Sequence, residues 1–290
     1  MMGCPDRTPG LTVSEMFAQL AAHYESTGTP PFDYVIVDEA QDVSVAQLKF
    51  LAAMASGRAN GLFFAGDLGQ RIFQQPFSWK ALGVDVRGRS ATLKINYRTS
   101  HQIRQQADRL LGPEVTDIDG NKEERKGTIS VFNGAPPEIR VLKSQAEEIA
   151  MVGAWLKSRM AEGARPHEIG IFVRSEWQLD RAKAASEQAG VDYRILDEHV
   201  QTQTGHVSVC TMHLAKGLEF KTVAVMACDD TVIPLQQRIE TVVEASDLEE
   251  VYNTERHLLY VACTRARDHL WVSGASPASE FLDDLGVESL

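Results

Sequence analysis

Beyond residue 138 the chain alternates short β-branched runs with helical stretches at a spacing that leaves few folds open. Strands are predicted at 139–142, 169–173, 193–196, 207–211, 222–226 and 269–273, with helices at 145–160, at 177–189 and around 249–264. Apolar runs of this length, bounded by turn residues, read as strands buried on both faces, and their alternation with helices builds βαβ units and a largely parallel sheet. Upstream, Thr12-Val13-Ser14-Glu15 has capping-box spacing and opens a helix with Met16, Phe17, Leu20, Ala21 and Tyr24 on one face, which Pro30 and Pro31 close. A buried strand at 34–37, a helix at 45–55, strands at 62–65 and 91–93, and a helix after Ser100 follow.

Residues 112–137 gather Gly112-Pro113, Gly120, Gly127, Asn133-Gly134 and Pro136-Pro137 among many charges, which is linker and turn chemistry. The expected organisation is α/β: a partial domain at 1–112, a linker at 113–138 and a complete domain at 139–290. The first part has too few strands ahead of Asp38 for a doubly wound sheet. It reads as truncated, with an exposed sheet edge expected near 34–37 or 62–65.

The acidic cluster Asp38-Glu39-Ala40-Gln41-Asp42 directly follows the apolar run Tyr34-Val35-Ile36-Val37. Residues at the carboxyl end of a parallel strand project into the crevice where α/β sheets bind ligands. This is how an NTPase presents carboxylates to magnesium and to the attacking water, with Asp38 holding Mg²⁺ through water and Glu39 polarising the nucleophile. A solvated carboxylate pair at a strand end is the alternative reading of these two residues alone. No Gly-x-x-x-x-Gly-Lys-Ser/Thr phosphate loop accompanies the cluster, and the dipeptide Gly-Lys does not occur in the chain.

With 43% hydrophobic and 24% charged residues the chain can bury a sizeable core. A net charge of −11 argues against a free-standing nucleic-acid binder, so any phosphate contact must be local. Cys4, Cys210, Cys228 and Cys263 have no paired spacing, which points away from a zinc site or a disulfide framework and toward a reducing compartment. No apolar leader or membrane-length run occurs, so the expectation is a soluble cytoplasmic protein with no membrane partner.

Four further segments give the acidic cluster its context: Gly66-Asp67-Leu68-Gly69-Gln70-Arg71-Ile72-Phe73, Asn96-Tyr97-Arg98-Thr99-Ser100, His213-Leu214-Ala215-Lys216-Gly217-Leu218-Glu219-Phe220 and Tyr260-Val261-Ala262-Cys263-Thr264-Arg265-Ala266-Arg267. In this order the five segments resemble the UvrD/Rep/PcrA-type superfamily 1 DNA helicases, from about Phe32 to Val272. The resemblance implies RecA-like (P-loop NTPase) parallel sheets flanked by helices. Two such domains clamp ATP and move along single-stranded DNA, usually 3′ to 5′.

Residue by residue, the resemblance implies Asp38 as the magnesium carboxylate and Glu39 as the catalytic base of motif II. It implies Gln70 as the γ-phosphate-sensing glutamine of motif III and Arg98 as the motif IV arginine on the same group. Gly217 and Glu219 fall where motif V touches the ribose, and Arg265 matches the arginine finger of motif VI. For the nucleic acid it implies Phe73, near the strand path, with Thr211 and His213 facing the strand; Phe77 and Trp79 are further candidates for base stacking. Ordinary burial accounts equally well for Phe77 and Trp79, and a satisfied polar contact is the alternative for His213.

Departures from the pattern shape the expected function. The phosphate loop is missing, the 98–211 interval is too short for a large inserted subdomain, Gln74-Gln75-Pro76-Phe77 interrupts motif III, and Leu214 replaces a small polar residue in motif V. The expectation is the C-terminal portion of an ATP- and Mg²⁺-dependent helicase, inactive alone and acting on single-stranded DNA or duplex/single-strand junctions. The missing N-terminal segment would be supplied in cis or in trans. A non-catalytic DNA- or protein-binding module, or a split subunit completed by a partner, is the rival, and a metal-dependent nuclease is a third reading.

Overall fold

The structure is a computed structural model that describes residues 11–56, 58–72, 77–86, 88–111, 114–116, 119, 122–124 and 127–286. The chain divides into two compact units, Met1–Ala91 with Thr116–Glu123, and Thr92–Val115 with Glu124–Leu290.

In the smaller unit, α1 (Val13–Thr27) starts on the expected capping box. The Thr12 hydroxyl accepts from the Glu15 amide at 3.2 Å and the Glu15 carboxylate accepts from the Thr12 amide at 2.8 Å. Helix α2 (Val45–Met54) is capped in the same way by Ser44 and Gln47. Phe17 and Tyr24 of α1 meet Phe50 of α2 at ring separations of 5.4 and 6.0 Å. Strand β1 (Val35–Val37) pairs in parallel with β2 (Leu62–Phe64), Val35 opposite Leu62 and Val37 opposite Phe64. Val37, Leu62 and Phe64 pack with Leu48 of α2, Val43 and Val84.

The run 34–37 was expected to be buried on both faces, and it is not. Ile36 is 76% exposed, Phe63 64% and Tyr34 73%. Side chains alternate across a strand, and in this two-stranded sheet α2 packs on the Val37 and Phe64 side. The strand expected at 91–93 is also displaced: β3 is Ile95–Asn96, and Leu93 is 90% exposed.

The larger unit follows the predicted alternation closely. After β3 come α3 (His101–Ala107), the short strands β4 (Glu114–Thr116) and β5 (Lys122–Glu124), each partly in the smaller unit, and β6 (Ile129–Ser130), which pairs with β3. Then follow β7 (Glu138–Leu142), α4 (Gln145–Ala161), β8 (Ile169–Val173), α5 (Leu179–Ala189), β9 (Tyr193–Ile195), β10 (Val207–Thr211), β11 (Phe220–Val225), α6 (Gln236–Ile239), α7 (Ala245–Thr264), β12 (Ala266–Ala275) and α8 (Glu280–Asp284). Strands β7–β12 form one six-stranded parallel sheet in the order β7-β12-β11-β8-β10-β9. Every residue of β8 is buried, as a central strand covered on both faces requires. Val152 and Leu156 of α4 and Ala182 and Ala185 of α5 pack on Ile169, Ile171, Val209 and Trp271.

The division between units lies before Thr92, whereas the turn-rich composition placed the domain boundary at 113–138. Residues 92–111 join the larger unit because their backbone is tied into it. The Ser100 amide donates to the Arg267 carbonyl at 3.1 Å, the His101 amide donates to the Phe132 carbonyl at 3.1 Å, and α3 packs on α7. Arg98 therefore belongs with Glu219 and Arg265 rather than with Asp38.

Cys210, Cys228 and Cys263 are buried free thiols, and burial pushes Cys210 and Cys263 up to about 12. Among the described residues no helix is long and apolar enough to cross a membrane.

Two buried ion-pair groups tie helices to the sheet. Arg174, just past β8, makes a bidentate contact with Glu255 of α7, both bonds at 2.5 Å, and Arg238 reaches the same carboxylate at 3.1 Å. Arg181 of α5 binds Asp229 at 2.7 Å and also pairs with Glu148 of α4. Removing one partner of a buried pair strands the other charge at a cost of about 3–5 kcal/mol, far more than a surface pair contributes. Glu255→Ala is expected to lower unfolding stability by about that amount, and Arg238→Ala, whose side chain is 38% exposed, by less than about 1 kcal/mol. Urea denaturation of both variants measures the difference; equal effects would show that the Arg174–Glu255 contact carries no special weight.

Candidate functional site

In the smaller unit the acidic cluster stands where the β1–β2 ladder ends. The Ala65 amide donates to the Val37 carbonyl at 2.8 Å and the Ala40 amide to the Ala65 carbonyl at 2.9 Å, so the chain turns immediately after Val37. Asp38 and Glu39 are both exposed at this carboxyl end. Glu39 adopts the left-handed region at φ 52°, an uncommon conformation for a residue with a side chain that here lets the strand pass into the 3-10 turn Ala40–Asp42. The Asp38 carboxylate accepts from the Glu39 amide at 2.9 Å.

The loop after β2 folds against this turn. Asp67 accepts from the Gly69 amide at 2.8 Å and from the Gln70 side-chain amide at 2.9 Å, so Gln70 is held on the carboxylate three residues before it. Phe73 lies outside the described residues. Phe77 and Trp79 are half-buried and pack against the core of this unit, Trp79 edge-on to Phe64 at 4.8 Å. A small unit with few apolar layers uses its large aromatics for burial.

In the larger unit three separate segments converge at one end of the sheet. The Arg98 Nε donates to Glu219 at 2.9 Å. The Phe220 amide donates to the Arg265 carbonyl at 3.0 Å, and the Thr99 hydroxyl donates to the Thr264 carbonyl at 3.3 Å. Glu219 precedes β11 and Arg265 precedes β12, so Arg98, Glu219 and Arg265 gather where these parallel strands begin. Asn96 aims Arg98, its side-chain oxygen accepting from the Arg98 and Thr99 amides at 2.8 and 3.2 Å. Gly217 turns the chain into β11 at φ 79°, a left-handed position that suits glycine.

Arg98 and Glu219 are each nearly half exposed, whereas Arg265 is 1% exposed. Its guanidinium donates to the Val261 carbonyl at 3.1 Å and to the Leu218 carbonyl at 3.5 Å. An arginine that acts on a bound group from here must first leave these carbonyls.

Thr211 ends β10, so it lies at the opposite end of the same sheet from Glu219. His213, in the 3-10 turn that follows, is half-buried. Burial, reinforced by the Arg174 guanidinium and opposed by Glu255, pushes it down to about 4, so it is neutral at pH 7. A neutral imidazole can share a hydrogen bond with a phosphate or a base but adds no charge.

Sequence reasoning missed Gln41, Asp67 and Asn96, the residues that orient the candidates. Each lies inside a singled-out segment, two or three residues from the candidate it orients. A buried amide placed between acidic residues was the available signal for Gln41.

Two family models match the chain. The UvrD/REP helicase N-terminal domain matches residues 12–78 and the UvrD-like helicase C-terminal domain matches residues 194–277. Between them they take in Asp38, Glu39, Gln70, Thr211, His213, Gly217, Glu219 and Arg265, while Arg98 lies outside both. The chain is 25% identical to DNA helicase IV of Escherichia coli over 276 residues, which covers 89% of this chain and 36% of that protein. It is 42% identical to YjcD of Bacillus subtilis over 85 residues, 29% of this chain and 11% of that one. It is 35% identical to the ATP-dependent DNA helicase UvrD1 of Mycobacterium tuberculosis over 103 residues, 32% of this chain and 12% of that one. The chain thus spans less than half the length of each of these relatives.

The low affinity of His213 for protons sets a pH dependence. Unfolded, the imidazole titrates near 6.5, and folded near 4. Protons therefore favour the unfolded chain as pH falls from about 6.5 toward 4, and this group adds no further loss below 4. Denaturation midpoints measured across that window are expected to fall with pH in the wild type and to fall less steeply in His213→Gln. Identical slopes would mean that His213 titrates normally.

Proposed function

The chain carries both halves of the UvrD-type superfamily 1 helicase pattern, and from that premise we propose that it is the motor portion of an ATP-dependent DNA helicase that couples ATP hydrolysis to 3′–5′ movement on single-stranded DNA. The observation that carries this reading is the convergence of Arg98, Glu219 and Arg265, from three distant segments, at one end of the larger unit's sheet. The Arg98 guanidinium on the Glu219 carboxylate, with Arg265 held at the same end of the sheet, suits a nucleotide, with arginines for phosphoryl oxygens and a carboxylate for the ribose hydroxyls.

By the resemblance, the hydrolytic carboxylates are Asp38 and Glu39. Magnesium typically binds through one or two carboxylates plus water and substrate phosphates, and Asp38, an exposed oxygen donor at a strand end, fits that habit. Bound there, Mg²⁺ supplies neutralisation of charge on the phosphate oxygens. Glu39 takes the proton from the attacking water, and Gln70 orients toward the γ-phosphate after exchanging its bond to Asp67. Arg98 exchanges its bond to Glu219 for a phosphate oxygen, which frees Glu219 for the ribose.

No residue of the sequence supplies the Gly-Lys of a phosphate loop. In this reading that loop comes from a further segment, in cis or on a partner. DNA contact falls to Thr211 and His213 at the other end of the sheet. Duplex/single-strand junctions are the natural substrate of such a motor, and a cytoplasmic role in DNA repair fits it.

ATP turnover by the purified chain, with and without single-stranded DNA and with and without a phosphate-loop segment from a related helicase, tests this. Glu39→Gln and the exposed Arg98→Ala are cleaner controls than the buried Arg265. The expected result is DNA-stimulated turnover that needs the added segment and falls about 100-fold or more in either variant. Turnover indifferent to both variants, or none in any combination, would contradict the reading.

A further inference from the structure

Gln41 is 6% exposed, yet it lies in the acidic cluster whose Asp38 and Glu39 are exposed. Its side-chain amide is used at both ends. The nitrogen donates to the Glu39 carboxylate at 2.6 Å, and the oxygen accepts from the Asp67 amide at 3.1 Å. A carboxylate can only accept and a backbone N–H can only donate, so a single orientation of the primary amide meets both partners. Neither a carboxylate nor a hydrocarbon of the same length could replace it.

The next bonds extend the link. Asp67 accepts from the Gln70 side-chain amide at 2.9 Å, which makes a continuous path Glu39, Gln41, Asp67, Gln70 across the two loops that end β1 and β2. Gly66 leaves room for it. A Cβ at that position would overlap the Gln41 side-chain oxygen and sit 3.2 Å from the Ala40 amide nitrogen. The left-handed backbone at Glu39 starts the turn that tucks Gln41 inward while leaving the Glu39 carboxylate at the surface.

We propose that Gln41 is a positioning residue: its amide fixes the Glu39 carboxylate to the loop carrying Asp67 and Gln70, so that the water-activating group moves with the segment that senses the γ-phosphate. This rests on the reading of Glu39 as the base. An exposed glutamate left to itself samples several rotamers, and a displacement of about 1 Å in a reacting group can cost about 100-fold in rate. Gln41 restricts that freedom by adding a tether from Glu39 to the loop that follows the β1–β2 ladder.

Two variants separate the arms. Gln41→Glu keeps the acceptor toward Asp67 and sets a like charge against Glu39, whereas Gln41→Leu removes both bonds at similar volume. Amide hydrogen exchange by ¹⁵N NMR on the chain alone is expected to show Asp67 protected in the wild type and in Gln41→Glu, and exchanging about tenfold faster or more in Gln41→Leu. In the turnover assay with the phosphate-loop segment, both variants are expected to lose kcat by about tenfold or more while KM for ATP stays within about threefold.

Asp67 exchange unchanged in Gln41→Leu, or wild-type kcat in both variants, overturns the proposal. A loss confined to KM overturns it too, since that would place Gln41 in nucleotide binding. Absence of turnover in the wild type sinks the reading of Glu39 as the base, and with it the catalytic half of the proposal; the exchange pattern still decides whether Gln41 links the two loops.

Discussion

The hydrogen bond from the Phe220 amide to the Arg265 carbonyl, at 3.0 Å, is the contact on which the candidate nucleotide-binding end of the larger unit depends. It opens the parallel β11–β12 ladder and so fixes Glu219 beside Arg265 before any side chain contributes. Parallel pairing needs a long crossover between neighbouring strands, and α7, within that crossover, brings Glu255 to Arg174. The exposed Arg98–Glu219 pair contributes at most about 1 kcal/mol on its own. It is a consequence of the backbone arrangement rather than its cause, which lets it be exchanged for ligand contacts at little expense in stability.

The two ends of this sheet are chemically distinct. Arginines and a carboxylate gather where β11 and β12 begin, and a threonine with a neutral histidine stands where β10 ends. The residues from Met212 to Glu219 run from one end to the other within a single connection. The smaller unit works on a different principle. Its short two-stranded sheet has a bare face at Ile36 and Phe63, and order at its carboxyl end comes from polar bonds around Gln41 and Asp67.

Much of the fold was legible because buried parallel strands must be written as apolar runs and helix starts as caps. The strands 169–173 and 207–211 and the Thr12 capping box follow directly from that chemistry. The position of residues 92–111 was not legible, since it depends on the Ser100 amide meeting a carbonyl far along the chain, and local turn residues pointed to a later boundary. The candidate site residues could be named one by one, but their arrangement could not. Arg265 is turned into its own helix, and Phe77 and Trp79 pack half-buried against the core. Gln41 is a polar residue whose value lies in two partners from different loops, which no local pattern reveals.

The central claim is that Arg98 recognises the γ-phosphate of a nucleotide. Equilibrium binding of a non-hydrolysable ATP analogue and of ADP, each with Mg²⁺ and the phosphate-loop segment, tests it most directly in the wild type and in Arg98→Ala. The wild type is expected to prefer the triphosphate and Arg98→Ala to lose that preference while ADP affinity stays unchanged. Equal loss for both nucleotides, or an undiminished preference, would contradict it.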